Sequence, residues 1–486
     1  MIIILIQQQI EWEIINSMAI VQKIQYNSEN RYFAGFLQNM LDETSLNGNI
    51  TQDKNEITLT IDEKDEKSLA SFSEMTSQYL PHSLFLGNIT TNRVDTEIKN
   101  EKFISDNYEI SLCRRCLEAL QDPSSEHYLD DNIKCNHYSN NQIDTIVDNN
   151  TFTPNYSEDS TLLVVDPSKI SDLFIITKDE HKALFSIEKP TIKVTIKDEE
   201  LKELTGKKFI NIKSTYNMKS TLAAINAKDS ELSYIFFNDL NPSKIVIVQK
   251  NISIIRDNKF SKKLENLNDD RVLNRFLNIV NETPNPNLAI AANLSVKNGI
   301  SFIVKTEVAS KKAINFQDFH LETVLLEMLN DPVRNKLIRN YAKKFPEKYE
   351  DLKSSNYNVY EALCVILDLE EKSFESLSNK ALEFHGNGGL KIDMNFKDAG
   401  FDYSSLLGSV ISFKIADVDT HYLAYSVFEA YGDMIISTLN QLKSKFKIDN
   451  FIMMGDMFDN SIIYSRILSK FQLSKPFFSK SIAFDD

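Results

Sequence analysis

From Ala19 onward short apolar runs alternate with polar turns, and the spacing of the apolar positions changes from two to between three and four as each strand gives way to a helix. Ile20 to Ile24 reads as a strand and Arg31 to Leu41 as a helix. Asn47-Gly48 marks a turn, Ile57 to Ile61 a second strand, and Lys67 to Tyr79 a second helix. Further strands in this βαβα stretch are left unassigned by the pattern. Asn140 to Ser160 is rich in Asn, Asp, Ser and Thr and reads as a linker. Leu162 to Val165 is then a short strand of buried type, and Lys182 to Val194 leads into another. Beyond Ser233 strands are expected at Tyr234 to Phe237, Lys244 to Gln249, Leu288 to Ala291 and Ile300 to Val304. Helical spacing follows in Phe319 to Leu329, Val333 to Phe345 and Val359 to Leu367. From His421 to Phe446 the apolar positions Leu423, Val427, Tyr431, Met434, Leu442 and Phe446 define a helix face broad enough to be buried. Phe451 to Met454 reads as a buried strand. The chain therefore reads as a multidomain α/β protein with an α+β N-terminal domain.

Composition narrows the function classes. A length of 486 residues exceeds what one core holds, and 42% hydrophobic with 25% charged residues is ordinary for a folded protein. Fifty-four basic against 69 acidic residues give a net charge of −15, which opposes binding to a phosphate backbone, so nucleic acid is not an expected partner. Met1 to Leu5 is too short and lacks the basic flank of a signal or spanning segment, and residues 1–17 read as an upstream extension. A cytoplasmic location without a membrane span is expected. Of the 12 glycines seven lie at or beyond Gly386, so the first three quarters of the chain has little material for a phosphate-cradling loop.

Cysteine supplies the strongest motif. Three of the four cysteines fall in C-R-R-C-L-E-A-L-Q-D-P-S-S-E-H-Y-L-D-D-N-I-K-C-N-H, Cys113 to His137. A C-x2-C pair and a third thiol after an eighteen-residue loop suit a tetrahedral zinc site. Arg114, Arg115 and Asn136 make these poor core positions, which opposes a packing role. His137 closes the set, with His127 inside the loop as the other candidate. Cys364 lies apart, in an apolar helical run.

This finger resembles the first zinc finger of the HypF family, the carbamoyltransferases that mature [NiFe] hydrogenases. Cys113, Cys116 and Cys135 match three ligands and Tyr138 replaces the fourth. The shorter length brings the chain nearest to the shortened, degenerate HydE-type relatives of that family. The resemblance implies a degenerate acylphosphatase-like domain of ferredoxin fold at 18–95, then the finger at 105–145, a degenerate YrdC-like unit at 160–230, and an actin-like domain of the TsaD and HypF C-terminal type at 231–486. In the first domain Arg31 falls at the family's phosphate-binding arginine, but the loop before it is N-S-E-N, without glycine and with Glu29 added, and Gln52 replaces an asparagine. The basic adenylation signature of the YrdC-like unit is not visible before Lys182. In the last domain Glu375, in S-F-E-S-L-S-N-K-A-L-E, matches a glutamate that faces the adenylate. His385 to Gly389 is the chain's glycine cluster, read either as a turn or as a binding loop. His421, in T-H-Y-L-A, matches a family histidine and serves equally as a helix cap or an anion ligand at a helix start. G-D-M-F-D-N resembles the family's G-G-V-F-x-N nucleotide loop, with Gly455, Phe458 and Asn460 matched and Asp456 in place of glycine. Asp485 stands where a metal-holding aspartate would.

The resemblance thus implies a hydrogenase maturation or assembly factor that binds hydrogenase subunits or other maturation proteins, with ATP binding impaired. The competing expectation is an active carbamoyltransferase that uses carbamoyl phosphate and ATP, with Glu375 and His421 catalytic and Gly455, Asn460 and Asp485 binding the cofactor. A zinc-bearing interaction module unrelated to hydrogenase is the third class.

Overall fold

A computed structural model describes residues 18–486 apart from 54, 63–65, 97, 99–100, 106–110, 134, 136–149, 240–241, 249–250, 257–260, 398–399, 472–474 and 485–486. His137, Tyr138, Asp485 and the upstream residues 1–17 lie outside the described residues, as does much of the linker. The chain forms two compact units, one of residues 1–245 with 258–262, the other of 246–257 with 263–486.

The first unit opens with β1 (Met18–Tyr26), α1 (Tyr32–Thr44), β2 (Gly48–Asp53), β3 (Glu56–Asp62), α2 (Glu66–Tyr79) and β4 (Leu86–Asp95). Their sheet order, β2-β3-β1-β4, with β1 antiparallel to both β3 and β4, is the ferredoxin-like arrangement. Strands β2 and β4 are the two that hydrophobic spacing leaves unassigned. Both are edge strands rich in Asn and Thr, and β4 is exposed or half-exposed along its length, so neither carries a clean apolar alternation. On α1 the apolar spacing buries Phe33, Phe36, Leu37, Met40 and Leu41. Next comes α3 (Arg114–Gln121), which follows the first finger cysteine.

A mixed sheet of five strands follows, β6-β7-β8-β5-β9, built from β5 (Thr161–Val164), β6 (Phe174–Ile175), β7 (Ile192–Ile196), β8 (Phe209–Lys213) and β9 (Tyr234–Phe237). Only the β5–β8 pair within it is parallel. All four residues of β5 are buried, as a central strand with both faces covered requires. Strand β9 pairs with β5 rather than with the strands that follow it in sequence.

In the second unit a two-stranded sheet of β10 (Ile245–Val248) and β11 (Asn251–Ile254) precedes α4 (Arg271–Val280). Its main sheet is β14-β13-β12-β17-β18. Here β12 (Ala289–Ser295), β13 (Gly299–Lys305) and β14 (Ser310–Asn315) form an antiparallel meander, and β17 (Phe451–Met454) and β18 (Phe477–Phe478) add parallel to β12. Ile290, Ala292 and Leu294 face one core while Ala289 and Ala291 face another beneath α4, so all of β12 is buried. The larger core is closed by α5 (Leu321–Asn330), α6 (Pro332–Lys344), α7 (Pro346–Ser354), α8 (Val359–Leu367), α9 (Phe374–Leu382), α10 (Tyr403–Ile415) and the 27-residue α11 (Thr420–Phe446). The small hairpin of β15 (Phe396–Lys397) and β16 (Gly400–Phe401) precedes α10, and α12 (Ser461–Lys470) follows β17. Among the described residues no helix is long and apolar enough to cross a membrane.

Candidate functional site

The three finger cysteines converge. Cys113 caps α3, its sulfur accepting the Cys116 amide at 3.4 Å, and the Sγ atoms of Cys113, Cys116 and Cys135 all lie within 4.8 Å of one another. An extended residue followed by one helical turn brings the C-x2-C thiols to the same side. Hydrogen bonds among the thiols and burial favour the protonated forms of Cys113 and Cys116 when no metal is bound. A hydrogen bond from Cys116 lowers the Cys113 pKa, but Cys135 and burial outweigh it and raise Cys113 from 9.0 to about 11; hydrogen bonds to Cys113 and Cys135 raise Cys116 further. A divalent cation relieves this crowding by taking the protons' place, and a buried set of soft sulfur donors fits zinc. His127 is not in the cluster: its Nδ1 lies 3.5 Å from Asp130 and its Nε2 3.7 Å from Glu126. The module is tied to the ferredoxin-like domain by Arg115, which reaches Glu43 at 2.7 Å and lies 4.0 Å over the Tyr79 ring. Cys364 is buried in α8 with its thiol donating to the Ser373 carbonyl, a core position.

In the loop before α1 the donors are turned onto the chain itself. The Asn27, Ser28 and Asn30 amides donate to Phe85 O, Tyr26 O and Ser28 Oγ, and Gln52 donates to the carbonyls of Ser28 and Asn30 at 3.1 Å. The Arg31 guanidinium lies 4.4 Å over the Phe103 ring, and Glu29 pairs with Lys262 at 2.6 Å.

Two buried carboxylates in this unit were missed by sequence reading, because each meets partners far away in sequence. Glu188, only 5% exposed, accepts from Tyr32 Oη at 2.7 Å, Ser83 Oγ at 2.5 Å and the Leu84 amide at 2.9 Å, joining the ferredoxin-like domain to the sheet that follows. Burial raises its pKa against the pull of these donors. Asp239 accepts from Lys213 Nζ at 2.9 Å and Thr191 Oγ1 at 3.1 Å, with both members of the ion pair buried.

The second unit gathers part of the remaining set. Gly455 sits after β17 at φ 107°, a conformation that excludes most side chains, and a Cβ there would collide with the Leu294 backbone. Its amide donates to the Phe484 carbonyl at 3.2 Å. Asp456 Oδ1 accepts the Val296 amide at 2.7 Å, in the turn between β12 and β13. Fully buried Asn460 caps α12 through Ile462 and Ile463 and donates to Ser378 on α9 at 2.8 Å. Glu375 is exposed on the first turn of α9, one turn before Ser378. His421 is half-buried near the start of α11, where Asp419 holds the cap position, and its ring lies 6.0 Å from that of Phe384. The glycine cluster is a turn pinned to α11: Gly389 donates to Glu429, and Leu390 to Ser426 Oγ at 2.9 Å.

No family model matches the chain. It is 25% identical over 150 residues to Protein HydE of Wolinella succinogenes, covering 27% of this chain and 28% of that protein's length. Two solved structures match almost throughout. Full-length HypF in its phosphate- and nucleotide-bound form aligns with a TM-score of 0.55 and 11% identity over 98% of this chain and 96% of that one. T. kodakarensis HypF aligns with a TM-score of 0.62 and 12% identity over 96% of each. The resemblance carried by the finger cysteines and the G-D-M-F-D-N turn therefore holds at the level of architecture: over nearly its whole length this chain has the fold of HypF.

Proposed function

We propose that this protein is a [NiFe] hydrogenase maturation or assembly factor built on the HypF architecture, which works by binding and has given up carbamoyl transfer. The single observation that carries this reading is the Asp456 carboxylate on the Val296 amide. A nucleotide loop binds phosphate through backbone N–H groups left unpaired for the ligand, and here the chain supplies its own anion to one donor and the Phe484 carbonyl to another, Gly455. A further negative charge would meet Asp456 at short range. In the first unit the Asn27, Ser28 and Asn30 amides before Arg31 are likewise satisfied internally.

In this reading the four-part plan is an acylphosphatase-like domain, a zinc module held by Cys113, Cys116, Cys135 and His137, a YrdC-like unit and an actin-like domain, retained as a scaffold in the reducing cytoplasm. The partners are hydrogenase subunits or other maturation proteins. Calorimetry with millimolar ATP is the test: no heat of binding is expected. Glu375→Ala and His421→Ala should leave hydrogenase maturation intact in cells, because neither residue has a nucleotide to act on. Micromolar ATP affinity, together with loss of maturation in both variants at unchanged protein abundance, would restore the active carbamoyltransferase.

A further inference from the structure

Helix α6 (Pro332–Lys344) carries five basic residues and no acidic one, in a chain whose net charge is −15. Its two sides use them differently. The inner side buries Ile338 and Tyr341, and Arg334 there is consumed by Ser404, Ser405 and Asp402 at 2.7, 2.6 and 3.2 Å. At 100° per residue, Val333, Lys336, Arg339, Asn340, Lys343 and Lys344 share the opposite arc, and all six are exposed. Lys344 pairs with Asp417 at 2.6 Å, whereas Lys336, Arg339 and Lys343 form no ion pair with a described carboxylate. The negative end of the helix dipole accounts for basic residues in the last turn, Lys343 and Lys344. It does not account for Lys336 and Arg339 further back, nor for Val333, a β-branched apolar side chain that is 80% exposed at the start of the same arc.

We propose that this face of α6 is the docking surface for an acidic segment of a protein partner. The proposal rests on the reading that the chain works by binding, and it names the chemistry of what is bound. From Lys336 to Lys343 the rise is about 10 Å, the span of carboxylates at i, i+4 and i+7 on a facing helix. Arg339 offers the planar fork that holds a carboxylate in two hydrogen bonds, and Val333 gives the surface an apolar end that such a segment would cover. Charges beyond the roughly 8 Å screening length are largely screened, so the chain's net −15 opposes a segment docked on this stripe only weakly, and the local cations orient the encounter. A polyanionic duplex is disfavoured by the same net charge and makes no use of Val333.

The test uses the full chain in cells that make the hydrogenase. A photo-crosslinking residue at Asn340 leaves the three cations in place and should join one protein through a segment of net negative charge. Combining Lys336→Glu, Arg339→Glu and Lys343→Glu should lower that yield about tenfold and reduce hydrogenase activity, with thermal stability unchanged. If the triple variant fails to fold, the Lys336→Gln, Arg339→Gln and Lys343→Gln combination serves instead, and an intermediate loss is expected. The proposal is overturned by a crosslink to nucleic acid, by one to a neutral or basic segment, or by a yield no higher than from the same residue at exposed Glu203. Deleting the whole chain separates this inference from the maturation reading. Unchanged hydrogenase activity on deletion defeats that reading, whereas loss on deletion with full activity in the triple variant defeats the α6 surface alone.

Discussion

The finger and the turn after β17 both gather groups able to hold an ion, yet they end in opposite states. In the finger, the Cys113, Cys116 and Cys135 sulfurs lie within 4.8 Å of one another, and hydrogen bonds among the thiols together with burial raise the pKa values of Cys113 and Cys116. In the turn, Gly455 and Val296 present amides that the chain itself has answered, with the Phe484 carbonyl and the Asp456 carboxylate. A thiol cluster that a cation would satisfy keeps the capacity to take a ligand. A cluster satisfied from inside keeps its shape and loses the need for one.

Removing the ligand from the first region should have the largest effect. Structural zinc contributes on the order of 10–16 kcal/mol in small finger modules, so Cys116→Ser should abolish zinc retention and open the segment around α3 to protease while the rest of the chain stays folded. Metal analysis should give one zinc per wild-type chain; absence of zinc with three titratable thiols would remove this half of the comparison. The dependence on pH adds a check of opposite signs. Zinc affinity falls on acidification, since protons compete for the thiolates. The metal-free module behaves the other way, because Cys113 is raised from 9.0 to about 11: its stabilising contribution is present below about pH 9 and is lost as pH rises toward 11.

The next effects concern the frame behind the second region. Val427 and Met434 lie on the buried side of α11, and Met434→Ala should cost about 2–5 kcal/mol and Val427→Ala less, read from denaturant melts. A Met434→Ala loss under about 1 kcal/mol would mean that this face is not the packed core it forms in the structure. Gly455→Ala should cost at least about 1–3 kcal/mol, from the left-handed backbone and the collision with Leu294, and tolerance of alanine there would show that the turn adopts another shape in solution.

Much of the second region was legible in the sequence and its state was not. Apolar spacing placed α8, α11 and β17, and the glycine, phenylalanine and asparagine of G-D-M-F-D-N pointed to a loop between a strand and a helix, which is where Gly455, Phe458 and Asn460 lie. The C-x2-C spacing anticipated the convergence of Cys113, Cys116 and Cys135. What composition and spacing could not show are partnerships across long stretches of chain. Asp456 meets an amide 160 residues earlier, Asn460 a serine 82 residues earlier, and Glu188 a tyrosine 156 residues earlier. Such pairs leave no local periodicity, so Asp456 could be read as a charge opposing phosphate but not as the group already bound in its place. Edge strands β2 and β4 were lost for a different reason: polar residues on both faces erase the alternation that marks a half-buried strand.

The smallest expected effect, a phosphate-dependent gain of about 1.4 kcal/mol, is also the sharpest comparison of the two regions, because it turns the filled turn toward the open state of the finger. Asp456→Gly removes the carboxylate from the Val296 amide and leaves a donor facing a space that a small anion could enter. The lost charge-assisted hydrogen bond should cost about 1.5–3 kcal/mol, and inorganic phosphate at ten times its Kd for the opened turn would return about 1.4 kcal/mol of it. Thermal melts of wild type and variant with phosphate, each against chloride of matched ionic strength, separate this from general salt effects. The variant should gain a phosphate-dependent rise in Tm that the wild type lacks. Asp456→Asn keeps an acceptor for Val296 without the charge, so it should lose less stability and gain less from phosphate. Equal phosphate stabilisation of all three proteins would mean that the anion binds elsewhere and that the Asp456 carboxylate is not what closes the turn.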